Sequence, residues 1–569
     1  MNFINYIYKW FLKPNHLFFI TIIALLLPNA TLCITEDMPV MANLTNIILP
    51  CGIYWLLMTL AKKPGKMIWW LFFFIFLAAF QLVLLYLFGK SIIAVDMFLN
   101  LVTTNPGEAM ELLDNLIPAV AGVFIVYLPL LILGVMSILN KQTLTCAFRH
   151  NQRIIGSGIT ALGLLCLGSS YLTDDEYCAK LNLYPANVIY NMFLAGERTY
   201  ETEHYYETSK NFSFNAKSTV NKSVPEMYVL VIGETARACE FQLYGYKRPT
   251  TPLLAKEKGI VAFSNVLTQS NTTHKSVPML MSMASAVDYD RIYKEKGIIE
   301  AFKEAGFHTT FISNQLPNHS FIDFFGKEAD DWKFIKENTK EGKNTPDGMI
   351  LKMLDDVLNK KHKKEFVVIH CYGSHFNYRD RYPRSAALFR PDNATEAKQS
   401  NRTQLINAYD NTIRYTDSFL HGVITTLRKR GGVSAMLYTS DHGENIFDDS
   451  RNLFLHASPT PSYYELHVPL LVWTSDTYNK AFPEIHNILE YNRNKPIASN
   501  ASTFHSMLGL ARIKTTYIAD SLNIASNKLH SAPRCYLNDH NKPMPLTKIG
   551  LGEKDFSLFK KYHIDIQYK

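Results

Sequence analysis

The chain has no CxxC pair, although it carries eight cysteines. Four of them lie in or beside long apolar blocks, and the spacing of Cys178, Cys239, Cys371 and Cys535 assigns no disulfide framework. Internal repeats and low-complexity tracts are missing too, so a repeat architecture is not expected. There is no basic stripe and no nucleic-acid motif, so the formal charge of +8 does not point to nucleic acid. Anionic lipid headgroups are the better match for it. Met67 to Phe88 contains no charged residue at all.

What is present is a sharp asymmetry. Up to about residue 172 the chain is dominated by Leu, Ile, Phe and Val in long blocks, whereas beyond about residue 225 its composition is that of a water-soluble globular protein. A length of 569 residues exceeds one ordinary domain and suffices for two or three. Five apolar blocks run at roughly 16–35, 43–61, 67–88, 117–139 and 154–172, most of them near the ~20 residues that a helix needs to cross the hydrocarbon core. One such block alone would equally suit a buried globular helix or, at the start, a signal peptide. Five in succession predict a transmembrane bundle of helices.

The basic residues orient it. Lys9 and Lys13, then Lys62, Lys63 and Lys66, then Lys141, Arg149 and Arg153 flank one set of block ends. Glu36, Asp37, Asp96, Glu108, Glu111 and Asp114 flank the other, with Lys90 against them. The N-terminus is therefore expected in the cytoplasm, and an odd number of crossings sends everything after residue 172 to the opposite face, the periplasm of a diderm bacterium. The expected division is a five-helix transmembrane domain over 1–172, a bridging segment over 173–225 and a periplasmic domain over 226–569. The bridge carries Tyr177, Tyr184, Tyr190, Phe193, Tyr200, Tyr205 and Tyr206 among charged residues. Polar-tipped aromatics suit the headgroup level of a membrane, and a linker packed on the soluble domain fits them as well.

In the last part, short β-branched runs alternate with helical patterns. Tyr228 to Ile232, His308 to Ile312, Phe366 to Ile369, Ala435 to Tyr438 and Val468 to Trp473 read as strands, and Gly297 to Ala305, Gly348 to Asn359 and Arg402 to Arg428 as helices. The alternation predicts an α/β domain, a mainly parallel sheet sandwiched by helices, with ligands at the carboxyl ends of its strands. Four runs end in residues able to do chemistry: Glu234 after the first, Asn314 and Gln315 after the second, His370 and His375 after the third, and Asp441 and His442 after the fourth. Glu234, Asp441 and His442 offer carboxylate oxygen and imidazole nitrogen, the donors of a catalytic zinc site that keeps one position open. A hydroxyl for that position lies in Ser270 to Pro278, where a polar cluster precedes an apolar helical run over Met279 to Met283. Helix-start N–H groups there suit a phosphate. Thr272, Thr273 and Ser276 each fit the hydroxyl, or an N-cap, equally well.

Together these stretches resemble the membrane phosphoethanolamine transferases that modify lipid A and lipopolysaccharide core, within the alkaline phosphatase and sulfatase superfamily. The likeness is carried by Val231 to Arg237, Tyr244-Gly245-Tyr246 with Arg248, Ser276-Val277-Pro278, Gly373-Ser374-His375, Tyr409 to Thr412 and Ser440 to Glu444. It implies an alkaline phosphatase/sulfatase-like fold, with Glu234, Asp441, His442 and Thr273 around zinc and Thr273 as nucleophile. His375 and His456 match histidines that the family places around the phosphoethanolamine group or a second zinc, and either suits a proton donor. Asn314 and Gln315 join them as expected substrate contacts. The cysteines that often flank the nucleophile segment of lipid A enzymes are replaced here by Asn271 and Met279, which leaves the acceptor open.

The expected reaction is transfer of phosphoethanolamine from phosphatidylethanolamine to lipid A or lipopolysaccharide core, through a phosphothreonine-type intermediate. It would be carried out by a monomer with one zinc ion, or two, in the bacterial inner membrane, in contact with membrane lipids and without nucleic acid. A phosphoglycerol transferase and a phosphodiesterase or sulfatase-type hydrolase are the alternatives within the superfamily. The sulfatase is disfavoured because Ser276 to Leu280 lacks the arginine of a Cys/Ser-x-Pro-x-Arg setting.

Overall fold

The computed structural model describes residues 10–88, 92–103, 106–220, 225–339, 345–360, 362–394, 396–458, 460–530 and 533–567. Lys9 and Lys90, part of the charge pattern above, lie outside the described residues. The chain divides into two units, one of 1–102 with 112–199 and the other of 103–111 with 200–569. The division at 199/200 falls inside the segment expected to bridge.

The first unit is helical, with α1 (Pro14–Thr35), α2 (Val40–Met58), α3 (Pro64–Trp70), α4 (Phe72–Phe88), most of α5 (Val95–Thr103), most of α6 (Pro106–Leu139), α7 (Cys146–Thr173) and most of α8 (Ala186–Glu203). Among the described residues, four segments are long and apolar enough to cross a membrane: α1, α2, Ile117–Leu139 of α6, and α7. The third expected block is broken instead. Pro64–Trp70 and Phe72–Tyr86 meet at a 60° bend, and the chain has five crossings only if that bent pair counts as one span. The break lies in Trp69-Trp70-Leu71-Phe72, a run without Pro or Gly, so hydropathy gave no sign of it.

Helices α2 and α7 approach backbone to backbone. A Cβ on Gly163 would lie 2.6 Å from Leu49 Cα, the small-residue contact that lets helices pack without a hydrophobic driving force. The Asn29 amide joins helices within this unit, donating to the carbonyls of Asn46 (2.7 Å) and Tyr184 (3.0 Å).

The second unit is built on seven strands, β1 (Glu226–Gly233), β2 (Ile260–Phe263), β3 (His308–Ser313), β4 (Asp331–Phe334), β5 (Lys364–His370), β6 (Val433–Ser440) and β7 (Leu470–Thr474). They lie in the order β2-β7-β6-β1-β5-β3-β4. Neighbours from β6 to β4 pair in parallel, while β7 is antiparallel to both β6 and β2. The sheet is thus mixed, with β7 as its one reversed strand. Edge strands β2 and β4 went unread in the sequence because each is only four residues long and partly exposed.

Strand β1 is buried along its whole length, as expected where both faces are covered. Tyr228, Leu230 and Ile232 enter one core and Met227, Val229 and Val231 the other. Beyond α9 (Thr273–Leu280), the core with Leu230 takes residues from α10 (Ile298–Glu304). The opposite core takes Ile350 and Leu354 of α11 (Ile350–Asn359), and Leu405, Ile413 and Leu420 of the long α12 (Arg402–Arg430). Helix α13 (Ser499–Leu510) returns to the first core through Phe504 and Leu508.

Candidate active site

Parallel pairing levels the carboxyl ends of four strands. Gly233 of β1 faces Ser440 of β6, Ile232 faces His370 of β5, and His370 faces Ser313 of β3. Glu234, Asp441-His442, the 371–375 loop and Asn314-Gln315 therefore leave the sheet side by side.

The turn after β1 is held in an unusual backbone conformation. Thr235 has φ 62°, a left-handed value that is uncommon for a β-branched residue and persists only where surroundings enforce it. Its N–H donates to Asp441 Oδ1 (3.0 Å) and its hydroxyl to Glu234 Oε1 (2.8 Å). The Tyr409 hydroxyl donates to its carbonyl (2.7 Å) and accepts from the N–H of Arg237 (2.9 Å). Across the turn, Gly373 has φ +49°, and a Cβ there would lie 2.6 Å from the carbonyl oxygen of Glu234. Only glycine lets the two loops pass this closely.

The three hydroxyls that spacing left equivalent now separate. Thr272 Oγ1 lies 3.0 Å from Ser270 Oγ, and Ser276 Oγ donates to the backbone carbonyl of Asp441 at 2.6 Å. Thr273, the first residue of α9, has its Oγ1 3.1 Å from His442 Nε2 and 3.2 Å from Glu234 Oε1. His442 Nε2 also lies 3.1 Å from Asp441 Oδ2. One hydroxyl, one imidazole and two carboxylates thus converge. Ligand atoms of Glu234, His442 and His456 lie within 4.8 Å of one another, so His456 stands closer to this centre than a distant substrate contact would.

Glu234, Asp441 and His442 are almost wholly buried. Burial raises the pKa of both carboxyls, and the charge of Glu234 raises Asp441 further. Burial, with the charge of His456, pushes His442 well below the usual imidazole range. Burial opposes charge on His456 as well, but Glu444 at 3.1 Å, with Glu234 and Asp441, lifts it to about 9. His375, whose ring centroid is 5.9 Å from that of His456, is pushed well down by burial and by Arg381. Asp441 Oδ2 is buried without a hydrogen-bond partner. A buried carboxylate oxygen left open beside a second carboxylate and a neutral imidazole fits a divalent cation, and oxygen and nitrogen donors of this kind suit zinc.

The two residues after β3 have different surroundings. Gln315 donates to Glu234 Oε2 (3.1 Å) and the carbonyl of Cys371 (3.0 Å), so it orients the carboxylate. The Asn314 amide nitrogen is engaged by the Thr345 carbonyl and by Asp347 Oδ1, both at 2.7 Å. Asp347 in turn receives the N–H groups of Tyr372 and Gly373, both at 2.9 Å.

Sequence reasoning did not find the supports. Thr235, Ser276 and Tyr409 fall inside quoted motifs, but their hydroxyls grip backbone atoms distant in sequence and spacing carries no trace of that. Asp410 pairs with Arg248 at 2.6 Å, and Thr412 donates to Ser374 at 2.6 Å. The Tyr409 to Thr412 stretch is therefore a clamp joining the other motifs.

Residues 226–513 match the family model described as Sulfatase, and the chain belongs to that family. It is 30% identical over 290 residues to the Kdo(2)-lipid A phosphoethanolamine 7''-transferase of Escherichia coli strain K12, a match covering 48% of this chain and 47% of that one. The chain therefore spans about half the length of this curated relative. Its fold is similar to that of the integral membrane protein lipooligosaccharide phosphoethanolamine transferase A (EptA) from Neisseria meningitidis, with TM-score 0.68, 22% identity, and coverage of 89% of this chain and 97% of that one. The C-terminal periplasmic domain of EcEptC from Escherichia coli, solved in complex with Zn, matches with TM-score 0.54 at 22% identity, over 60% of this chain and 98% of that one.

Proposed function

We propose that this chain transfers phosphoethanolamine from phosphatidylethanolamine to a lipopolysaccharide acceptor, a lipid A phosphate or a core sugar, on the periplasmic side of a bacterial inner membrane. The observation that carries the reading is the Thr273 hydroxyl, held between Glu234 and His442 at 3.2 and 3.1 Å at the start of a helix. Names of similar proteins supply the headgroup and the acceptor class. Counting the bent helix pair as one span gives five crossings among the described residues, and this with the charge pattern supports an N-terminus in the cytoplasm and a catalytic unit on the opposite face. Exposed Phe193, Tyr200 and Tyr206 support an interfacial role for the segment 173–225.

Glu234, Asp441, His442 and the Thr273 hydroxyl would hold the zinc ion. Bound there, zinc favours the alkoxide form of the hydroxyl and stabilises charge on the phosphoryl oxygens. Thr273 Oγ attacks phosphorus, and the bond from phosphorus to the diacylglycerol oxygen breaks. His456, which Glu444 helps to keep protonated, delivers a proton to that departing oxygen. In the second half, a phosphate or sugar hydroxyl of the acceptor attacks the same phosphorus, and the Thr273 oxygen leaves. The start of α9, where Thr273 sits, favours the negative charge of the phosphoryl group in both halves.

The test is intact-mass measurement after incubation with phosphatidylethanolamine. Wild type should carry a phosphoethanolamine adduct that Thr273→Ala lacks. An adduct that persists in that variant sinks the nucleophile, and a phosphoglycerol adduct from mixed lipids replaces the donor. Mass spectrometry of lipid A and core oligosaccharide from cells with and without the chain identifies the acceptor.

A further inference from the structure

A second group of metal-ligating side chains lies at the opposite end of the same sheet. His308 opens β3 and faces Glu365 of β5 across the parallel ladder. His308 Nδ1 lies 3.1 Å from Glu365 Oε1, and His362 Nδ1 lies 2.9 Å from Glu365 Oε2. The two imidazole rings are 3.9 Å apart, and one ligand atom from each of the three residues falls within a 4.8 Å set. Glu365 is buried, 2% exposed, while the rings keep 25% and 36% of their surface open. The carboxylate is thus a buried floor beneath two partly exposed imidazoles. From Glu365 to His370 along β5 is about 17 Å, so this cluster is separate from the Thr273 centre.

The structure assigns a second divalent metal site, for zinc or a similar imidazole-preferring ion, to His308, His362 and Glu365. Two imidazoles and one carboxylate form a donor set for such ions, with a fourth position left to solvent. Ligand atoms around a tetrahedral zinc stand about 3.3 Å apart, given metal–nitrogen distances of about 2.0–2.1 Å. Each imidazole meets its own oxygen of Glu365, at 3.1 and 2.9 Å, within a few tenths of that, and one ligand atom from each of the three residues lies within 4.8 Å of the others.

An acidic group lies beside the His308 ring. His308 Nε2 lies 3.6 Å from Asp331 Oδ2, and Lys360 Nζ holds that same oxygen at 2.6 Å. With Nδ1 on the metal, the Nε2 hydrogen lies on the side of Asp331, whose carboxylate is near enough to favour that tautomer electrostatically. An ion at Nδ1 takes up that nitrogen's lone pair, so the single ring hydrogen of each neutral imidazole sits on Nε2. The ion would tie β3 to β5 and the loop before it.

The test uses the full chain in detergent with Glu234→Gln and Asp441→Asn, stripped by chelator and titrated with Zn2+ alone. One equivalent should bind, and it should disappear when His308→Gln and His362→Gln are added. Asp331→Asn, which leaves all three ligands, should weaken binding about tenfold or more. Melting in chelator confirms that the variants fold. No zinc uptake in the first background, or an uptake that the histidine pair leaves unchanged, overturns the assignment. Loss of transferase activity is no part of the readout, so failure here is distinct from failure of the functional reading.

Discussion

Ser276 Oγ donates to the backbone carbonyl of Asp441 at 2.6 Å, tying the helix that starts at Thr273 to the loop that carries Asp441 and His442. Thr268 Oγ1 donates to the same carbonyl at 2.6 Å, and the Asn500 amide donates to Ser276 Oγ at 2.8 Å. The nucleophile helix and the ligand loop are thereby set against each other through buried hydroxyls, independently of the ligands themselves.

Ser276→Ala should therefore slow transfer without removing any reacting group. The carbonyl keeps Thr268, so the stability cost should be about 1 kcal/mol. A displacement of the helix start by a fraction of an ångström should lower kcat about tenfold to hundredfold. Zinc content by metal analysis should stay at the wild-type level, and a variant with unchanged kcat would show that the tie is redundant.

Tyr409→Phe removes the hydroxyl that holds both the Thr235 carbonyl and the Arg237 N–H. Two buried backbone groups lose a partner, which should cost about 1–3 kcal/mol. The left-handed Thr235 turn is released with them. Thermal melting should show the loss, and turnover should fall with it.

Gly373→Ala places a Cβ 2.6 Å from the Glu234 carbonyl in a backbone conformation of φ +49°. The conformation alone costs an alanine about 1 kcal/mol, and the overlap must push the Glu234 turn aside. Bound zinc per chain and activity should drop together, whereas retained zinc with lost activity would place the damage elsewhere.

Glu328 makes stability pH-dependent. Burial lifts its carboxyl to about 8 against an ordinary 4.5, although it accepts from the Tyr205 hydroxyl (2.8 Å) and from the N–H of Gly297 (3.0 Å). Between these values the unfolded chain has released a proton that the folded chain keeps, so stability falls as pH rises from about 4.5 to about 8. That contribution is fully present below the lower value and gone above the upper one. Glu328→Gln should flatten this part of the melting-temperature profile, and a parallel profile would exclude Glu328 as its source.

The succession of apolar helices and an α/β unit was legible in the sequence because it depends on composition over tens of residues. Five strands were legible from β-branched runs, and the acids and histidines at their ends followed from the parallel topology those runs predict. Direction was not: Leu470–Thr474 runs antiparallel to its neighbours, and an apolar run has the same pattern either way. The bend between Trp70 and Phe72 was hidden for a similar reason, since every residue around it is equally apolar.

The linear chain by itself determined which chemistry is available: carboxylates, imidazoles and hydroxyls at strand ends, next to a part of the molecule suited to lipid. Only the tertiary structure decided which hydroxyl faces Glu234 and His442, which side chains brace them, and that His308 and His362 meet over Glu365. Those choices are made by contacts between residues tens to hundreds of positions apart, and hydrogen bonds of about 3 Å across such separations leave no periodic trace in sequence.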